Sequence, residues 1–130
     1  MPNQSLNKAL GVTGLSQRIE KIIRKLFQAQ RTAFLVGSAT YDAANLVDGA
    51  GATTTITVTG AALGDFVVGV SHSVDLAGIT VTAYVSAANT VSVRFQNESG
   101  GAVDLASGTL RAVVLKRSSM NGTAYLGIEP

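Results

Sequence analysis

The sequence predicts a mainly β fold, an antiparallel β-sandwich or jelly-roll-like domain, preceded by an N-terminal amphipathic α-helix. Between Leu15 and Arg31 the apolar residues recur at steps of three and four, which is the spacing of one helix face. From Gly37 onward, alternating runs rich in Thr and Val favour strands. The charge divides in the same way: residues 1–34 carry six Lys/Arg and one Glu, whereas residues 35–130 carry four Lys/Arg and seven Asp/Glu. We therefore expect a basic helical arm on a β body.

The helix is predicted from Leu15 to Arg31, with Ser16 as its N-cap and Gly14 preventing an earlier start. Its apolar stripe is predicted to be the assembly or docking interface and consists of Leu15, Ile19, Ile22, Ile23, Leu26 and Phe27. The basic face opposite, a candidate surface for contact with a partner, consists of Arg18, Lys21, Arg24 and Lys25. The stripe is wide and spans little more than two heptads, so we expect it to lie against a surface rather than to form an independent coiled coil.

The strands are predicted from β-branched alternation and from the turn residues between them. They are Ser38–Tyr41, Thr53–Thr59, Asp65–His72, Gly78–Ser86, Thr90–Gln96 and Thr109–Arg117. A weaker strand is predicted near Val103, and a tight hairpin is predicted at Ala87-Ala88-Asn89. The alternation is clean at Val91, Val93 and Phe95, which should share one face and build the core. The predicted organisation is an arm and helix (1–36), a β-sandwich domain (37–117) and a C-terminal arm (118–130).

Reactive side chains are scarce. The chain has no Cys and one His, which excludes disulfides and thiolate metal sites and leaves His72 as the sole candidate general base. Ser71 and Ser73 flank His72, but alternate residues of a strand point to opposite faces, so neither is well placed for activation by it. We expect a structural histidine and no enzymatic activity.

Two other sequence features invite a binding interpretation. Gly49 and Gly51 follow Asp48, but a strand comes next where a phosphate-binding loop needs a helix N-terminus. Acidic pairs occur in the loops, but their spacing is not that of a dedicated calcium loop; they are Asp42 with Asp48, and Asp65 with Asp75. We expect no cofactor, no metal and no small-molecule substrate.

The basic helix face leaves three interpretations open: assembly or protein docking first, a membrane surface second and nucleic acid third. Phe27 is the one aromatic residue of the stripe, and the β faces lack the interleaved basic and aromatic residues of single-strand binders. No apolar run approaches the roughly 20 residues that span a bilayer, and the N-terminus lacks a signal-peptide pattern. We expect a soluble, non-secreted protein that binds neither membrane nor nucleic acid.

Much of the β body resembles a β-domain found in structural proteins of tailed bacteriophages. The segments that carry the resemblance are Gly37–Val68, Ser73–Val85, Thr90–Asn97 and Ala106–Arg111, and together they cover roughly residues 37–114. Proteins of this kind are commonly capsid decoration (cement) proteins or head fibres. The resemblance implies a small β-sandwich or jelly-roll that assembles as a trimer on the virion, and it brings no catalytic residues.

The resemblance leads us to expect a decoration protein of the phage head. It would be a homotrimer that binds the major capsid protein, stabilises the head, and lies on the head surface after assembly in the host cytoplasm. The alternative is a head or tail fibre, or a host-attachment module that binds carbohydrate at the loop ends. The β body offers that alternative four aromatic residues and no Trp: Tyr41, Phe66, Tyr84 and Phe95.

Overall fold

The structure, a computed structural model, describes residues 12–120. A long N-terminal helix is followed by six strands and a short 3₁₀ helix, Arg117–Met120. The elements are α1 (Val12–Ala33), β1 (Phe34–Tyr41), β2 (Gly51–Thr57), β3 (Phe66–His72), β4 (Ile79–Ala87), β5 (Thr90–Asn97) and β6 (Gly108–Leu115). These elements confirm the prediction of a mainly β fold with an N-terminal helix.

The described residues fall into two units. Ala33–Arg117 form a compact unit that contains all six strands, and α1 up to Thr32 belongs to the other. Residues 1–11 and 121–130, which include most of the predicted C-terminal arm, lie outside the described part of the chain.

The six strands form two antiparallel sheets of three strands each. In the first sheet, β6 lies between β1 and β3; in the second, β5 lies between β2 and β4. The β4–β5 connection is the predicted tight hairpin, and Asn89 adopts a φ of 59° there, a left-handed conformation that Asn tolerates better than most residues. Every connection except this hairpin leads from one sheet to the other.

The two central strands supply much of the core. Val91, Val93 and Phe95 of β5 are fully buried, as their alternation predicts. The inward residues of β6 are also fully buried and belong to the same apolar cluster; they are Leu110, Ala112 and Val114. Burial of each large aliphatic or aromatic side chain is worth about 1.5–3 kcal/mol, so the inner faces of both sheets stabilise one shared core.

One glycine is required by close packing between strands of different sheets. A Cβ atom at Gly37 would lie 2.7 Å from the side chain of Val58 and would collide with the backbone oxygen of Thr57. Any larger residue at position 37 would therefore push β1 away from the end of β2.

The predicted start of the helix was wrong. The helix begins at Val12, so Gly14 lies inside it, and Ser16 is a helical residue rather than the N-cap. An internal glycine costs a helix only about 1 kcal/mol relative to alanine, and a helix of 22 residues tolerates that cost.

Two strand predictions also need correction. β1 begins at Phe34, directly after the helix and four residues before the predicted Ser38. Phe34, Leu35 and Val36 are good strand formers, and each pairs with a residue of β6. Val103 forms only an isolated bridge with Leu46 and no strand, because the flanking residues make no further ladder.

Candidate assembly surfaces

The predicted interface on α1 is exposed along its whole length. Its six apolar side chains are between 40% and 61% exposed, although such residues are normally buried. The helical period brings them onto one stripe, which consists of Leu15, Ile19, Ile22, Ile23, Leu26 and Phe27. A contiguous apolar surface of this kind is typical of an interaction site. Its role in assembly stays a prediction.

The predicted basic residues are exposed on the same helix. They are separated by one, three or four positions in the sequence and are Arg18, Lys21, Arg24 and Lys25. Like charges at such spacing repel each other and weaken an isolated helix by a few tenths of a kcal/mol per pair. An acidic surface on a partner would relieve that repulsion, and salt would weaken the attraction.

A second exposed apolar surface, which the sequence did not predict, lies on the outer face of the β1–β6–β3 sheet. Four of its side chains are between 49% and 65% exposed, namely Phe34, Val36, Phe66 and Val68. The half-buried residues of β6 that pair with them complete it, so that the sheet patch consists of Phe34, Val36, Phe66, Val68, Val113 and Leu115. The sequence would predict the sheet patch if β1 were predicted to begin at Phe34, because strand alternation then places Phe34 and Val36 on the outer face.

The outer face of the other sheet is polar. On it, Arg94 donates hydrogen bonds to the hydroxyl of Thr53 (3.3 Å) and to the side-chain oxygen of Gln96 (3.1 Å). Tyr84 is 58% exposed and pairs with Ser92 across the β4–β5 ladder. The remaining exposed side chains of β2 and β4 on this face are mostly threonines. The two outer faces of the β unit therefore differ sharply in polarity.

His72 faces inward and packs against the core. Its ring meets Phe95 edge-on at a centroid distance of 5.9 Å. Nδ1 accepts a long hydrogen bond of 3.4 Å from the N–H of Val74, and Nε2 is buried without a hydrogen-bond partner. Asp75 accepts a hydrogen bond from the N–H of Ala77 (3.0 Å), and Ser73 accepts one from Thr109 (2.8 Å). The polar neighbours of His72 in sequence thus support turns and strand ends.

The loop carboxylates are used within the fold. Asp48 accepts a hydrogen bond of 2.9 Å from the N–H of Gly100, and Gly49 takes a turn conformation with a φ of 78°. Within residues 12–120, no group of three or more His, Cys, Asp or Glu side chains is placed to hold a metal ion. The acidic pairs considered from sequence are therefore not brought together into a larger cluster in this part of the chain.

Asp65 joins the β2–β3 connection to the end of β6. Its carboxylate lies 2.8 Å from Nζ of Lys116 and accepts hydrogen bonds from the N–H groups of Arg117 (2.9 Å) and Ala62 (3.0 Å). Burial raises the pKa of this carboxyl, but the hydrogen bonds from Lys116, Arg117 and Ala62 outweigh burial, and the pKa lies below its ordinary value. Asp65 is therefore ionised at neutral pH and holds Lys116 in place.

Neither a family model nor a curated protein matches the chain. Among residues 12–120, no helix combines the length and the apolar character needed to cross a membrane.

Proposed function

We propose that this protein is a structural component of a phage virion, a capsid decoration protein that assembles as a homotrimer, binds the major capsid protein and stabilises the head. The observation that carries this proposal is the exposed apolar stripe on α1, from Leu15 to Phe27, with a face of four basic residues on the opposite side of the helix. A long helix with these two faces is suited to docking. The resemblance of residues 37–114 to phage structural domains supplies the class of assembly.

The β unit of this protein is, on the same proposal, a jelly-roll-like sandwich. Three features support it: two three-stranded antiparallel sheets, one shared apolar core, and connections that alternate between the sheets. Such crossing connections are common in sandwiches with Greek-key topology. A rigid unit of this kind presents a constant surface to neighbouring subunits.

Attachment by symmetric copies accounts for the modest size of each surface. When several copies of one weak contact are linked, the later contacts form at a high effective concentration and the whole assembly binds tightly. In a trimer, three basic helix faces would meet three equivalent sites on the shell. No catalytic step is part of the proposal, and neither cofactor nor substrate is expected.

The proposal is tested on the full chain in two ways. Light scattering should give a mass three times the 13.3 kDa of the chain. Antibodies raised against the protein should label the heads, not the tails, of virions released from the host strain that carries the gene. A monomer, or virions whose heads remain unlabelled, would contradict it.

A head or tail fibre or host-attachment module is the second candidate. The observation that favours it is Tyr84, which is 58% exposed and pairs with Ser92 on a polar sheet face that also carries Arg94. An exposed aromatic ring flanked by hydrogen-bonding groups is suited to stacking on a sugar. A glycan array probed with the full chain tests this candidate, with Tyr84→Ala as the variant that should lose any signal.

A further inference from the structure

We propose that the sheet patch is an interface between copies of this chain, so that the β units of the oligomer contact each other directly. The inference rests on the proposed self-assembly and deepens it, because it places one interface on the β unit in addition to the helix stripe. Its occupant is the same face of the other copies in the trimer, which would meet about the three-fold axis, where symmetry brings equivalent residues together.

The patch is organised by strand register. Phe34 and Phe66 flank Leu115 in one row across the three strands, and Val36 and Gly69 flank Val113 in the next row. In this part of the sheet the outward positions of all three strands are therefore apolar. A three-stranded sheet that faced only water on this side would carry polar residues there.

An irregularity in β3 adds to the patch. The register between β3 and β6 shifts between Val67 and Gly69, so Val68 is an extra residue in the ladder. Val68 is 58% exposed, so the bulge places an apolar side chain at the surface. Bulges often change the direction of a side chain near a functional site. Here the bulge adds a valine to an apolar surface.

The charges around the patch favour contact between identical surfaces. None of the six residues of the patch is charged. Lys116, which follows Leu115, is neutralised by Asp65 at 2.8 Å, and Arg111 lies on the same outer face in the next row after that of Val113, between Ser38 and Ser71, at the edge of the patch. A surface that meets its own copy must not repel itself, and this one carries no unbalanced charge at its centre.

The apolar area of the patch is more than half of the area that one partner contributes to a stable interface. With about 200 Å² for a fully exposed large apolar side chain, the four side chains that are 49% to 65% exposed present on the order of 450 Å². One partner in a stable interface contributes about 800 Å², so the patch and its polar rim approach that value. We expect reversible association of the β units that the helix stripe strengthens.

The test is a pair of variants of the full chain studied by light scattering and sedimentation velocity. Val36→Glu combined with Val68→Glu places carboxylates in the patch at exposed positions, where they leave the core untouched. Thr55→Glu combined with Thr82→Glu makes the same change in charge on the polar outer face of the other sheet, where both threonines are exposed. The first variant should lose the oligomer, and the second should keep the mass of the native chain.

Cross-linking tests the same interface without relying on the fold of the glutamate variant. The chain has no cysteine, so Val68→Cys introduces a single thiol into the patch. A bismaleimide reagent should cross-link two copies of that variant in solution, whereas Thr55→Cys should remain uncross-linked.

The outcomes separate this inference from the proposed function. An oligomer that survives the Val36 and Val68 substitutions, or equal cross-linking of both cysteine variants, overturns the patch interface alone. A third outcome is an oligomer that depends on the patch, together with phage heads that antibodies against the protein do not label. That result supports the patch interface and overturns the decoration role. A native chain that stays monomeric overturns both.

Discussion

The side-chain amide of Asn97 donates a hydrogen bond of 2.7 Å to the backbone carbonyl of Leu46, which lies 51 residues earlier in the chain. The same amide donates to the carbonyl of Gly101 (2.7 Å), and its oxygen accepts from the N–H of Ser99 (2.9 Å). Asn97 is 0% exposed. One buried side chain therefore fixes both the β1–β2 connection and the turn that follows β5.

Replacement of Asn97 by alanine should be strongly destabilising. The change removes three hydrogen bonds of a fully buried side chain, each worth about 0.5–1.5 kcal/mol, and leaves a cavity, although the carbonyl of Leu46 keeps its bond from the N–H of Val103 (2.8 Å) and that of Gly101 keeps its bond from the hydroxyl of Ser99 (3.2 Å). With partial access of water, we expect a loss of about 2–4 kcal/mol in the free energy of unfolding measured in urea. Asn45→Ala, at an exposed position nearby, should cost less than about 0.5 kcal/mol. Similar small losses in both variants would show that Asn97 is not a structural anchor.

This contact illustrates which features the sequence can predict. The helix, the hairpin and the core face of β5 depend on short-range periodicity, and their predictions were confirmed. Asn97, by contrast, looks like an ordinary turn residue, because its polar partner is far away in the chain. The ion pair between Asp65 and Lys116, also 51 residues apart, was missed for the same reason.

The sheet patch was missed because of a boundary error. With β1 predicted to begin at Ser38, Phe34 and Val36 belong to the predicted arm, and strand alternation gives them no orientation. The pairing of β1 and β3 with opposite sides of β6 is a property of topology, and alternation within one strand cannot reveal it. The helix stripe needed no such information, since all its residues belong to one element.

Substitution of Gly37 tests the close approach of β1 to the end of β2. Gly37→Ala places a methyl group against Val58 and the backbone of Thr57, and the strands must separate to admit it. We expect the free energy of unfolding to fall by about 1–3 kcal/mol, which thermal denaturation followed by circular dichroism would detect. Gly101→Ala is the matched control, because no atom lies within 4 Å of its added Cβ. Equal melting temperatures for the two variants would rule out the steric requirement.

Asp65 should make stability depend on pH in the acid range. Its pKa in the folded protein lies below the ordinary 3.8, so the folded state binds fewer protons than the unfolded state in this window. The stabilisation is therefore complete well above pH 3.8 and is lost as the pH falls from there through the folded-state pKa. Asp65→Asn should reduce stability by about 1–2 kcal/mol at neutral pH, and the difference from the native chain should narrow in acid.

Urea titrations at a series of pH values measure this difference. Asp104→Asn, which changes an exposed carboxylate in a loop, serves as the control and should differ from the native chain by less than about 0.5 kcal/mol at neutral pH. A difference between the native chain and Asp65→Asn that stays constant from neutral pH into strong acid would show that the carboxylate of Asp65 contributes nothing through its charge.

The two faces of α1 should have separable roles. Ile22→Asp combined with Leu26→Asp should abolish assembly, because each aliphatic side chain buried at an interface is worth about 1.5–3 kcal/mol and a carboxylate adds a desolvation cost. Both residues are exposed in the single chain, so the monomer should keep its circular dichroism spectrum. The measurement is the solution mass by light scattering.

A matched change on the opposite face removes charge only. With Arg18, Lys21 and Lys25 replaced by Gln, the oligomer should keep its native mass, because these side chains lie off the apolar stripe. Attachment to phage heads, measured by co-sedimentation at increasing salt, should weaken and lose most of its salt dependence, since each removed cation eliminates a screened attraction to an acidic partner. If both sets of substitutions abolished assembly equally, the division between an apolar assembly face and a basic docking face would be wrong.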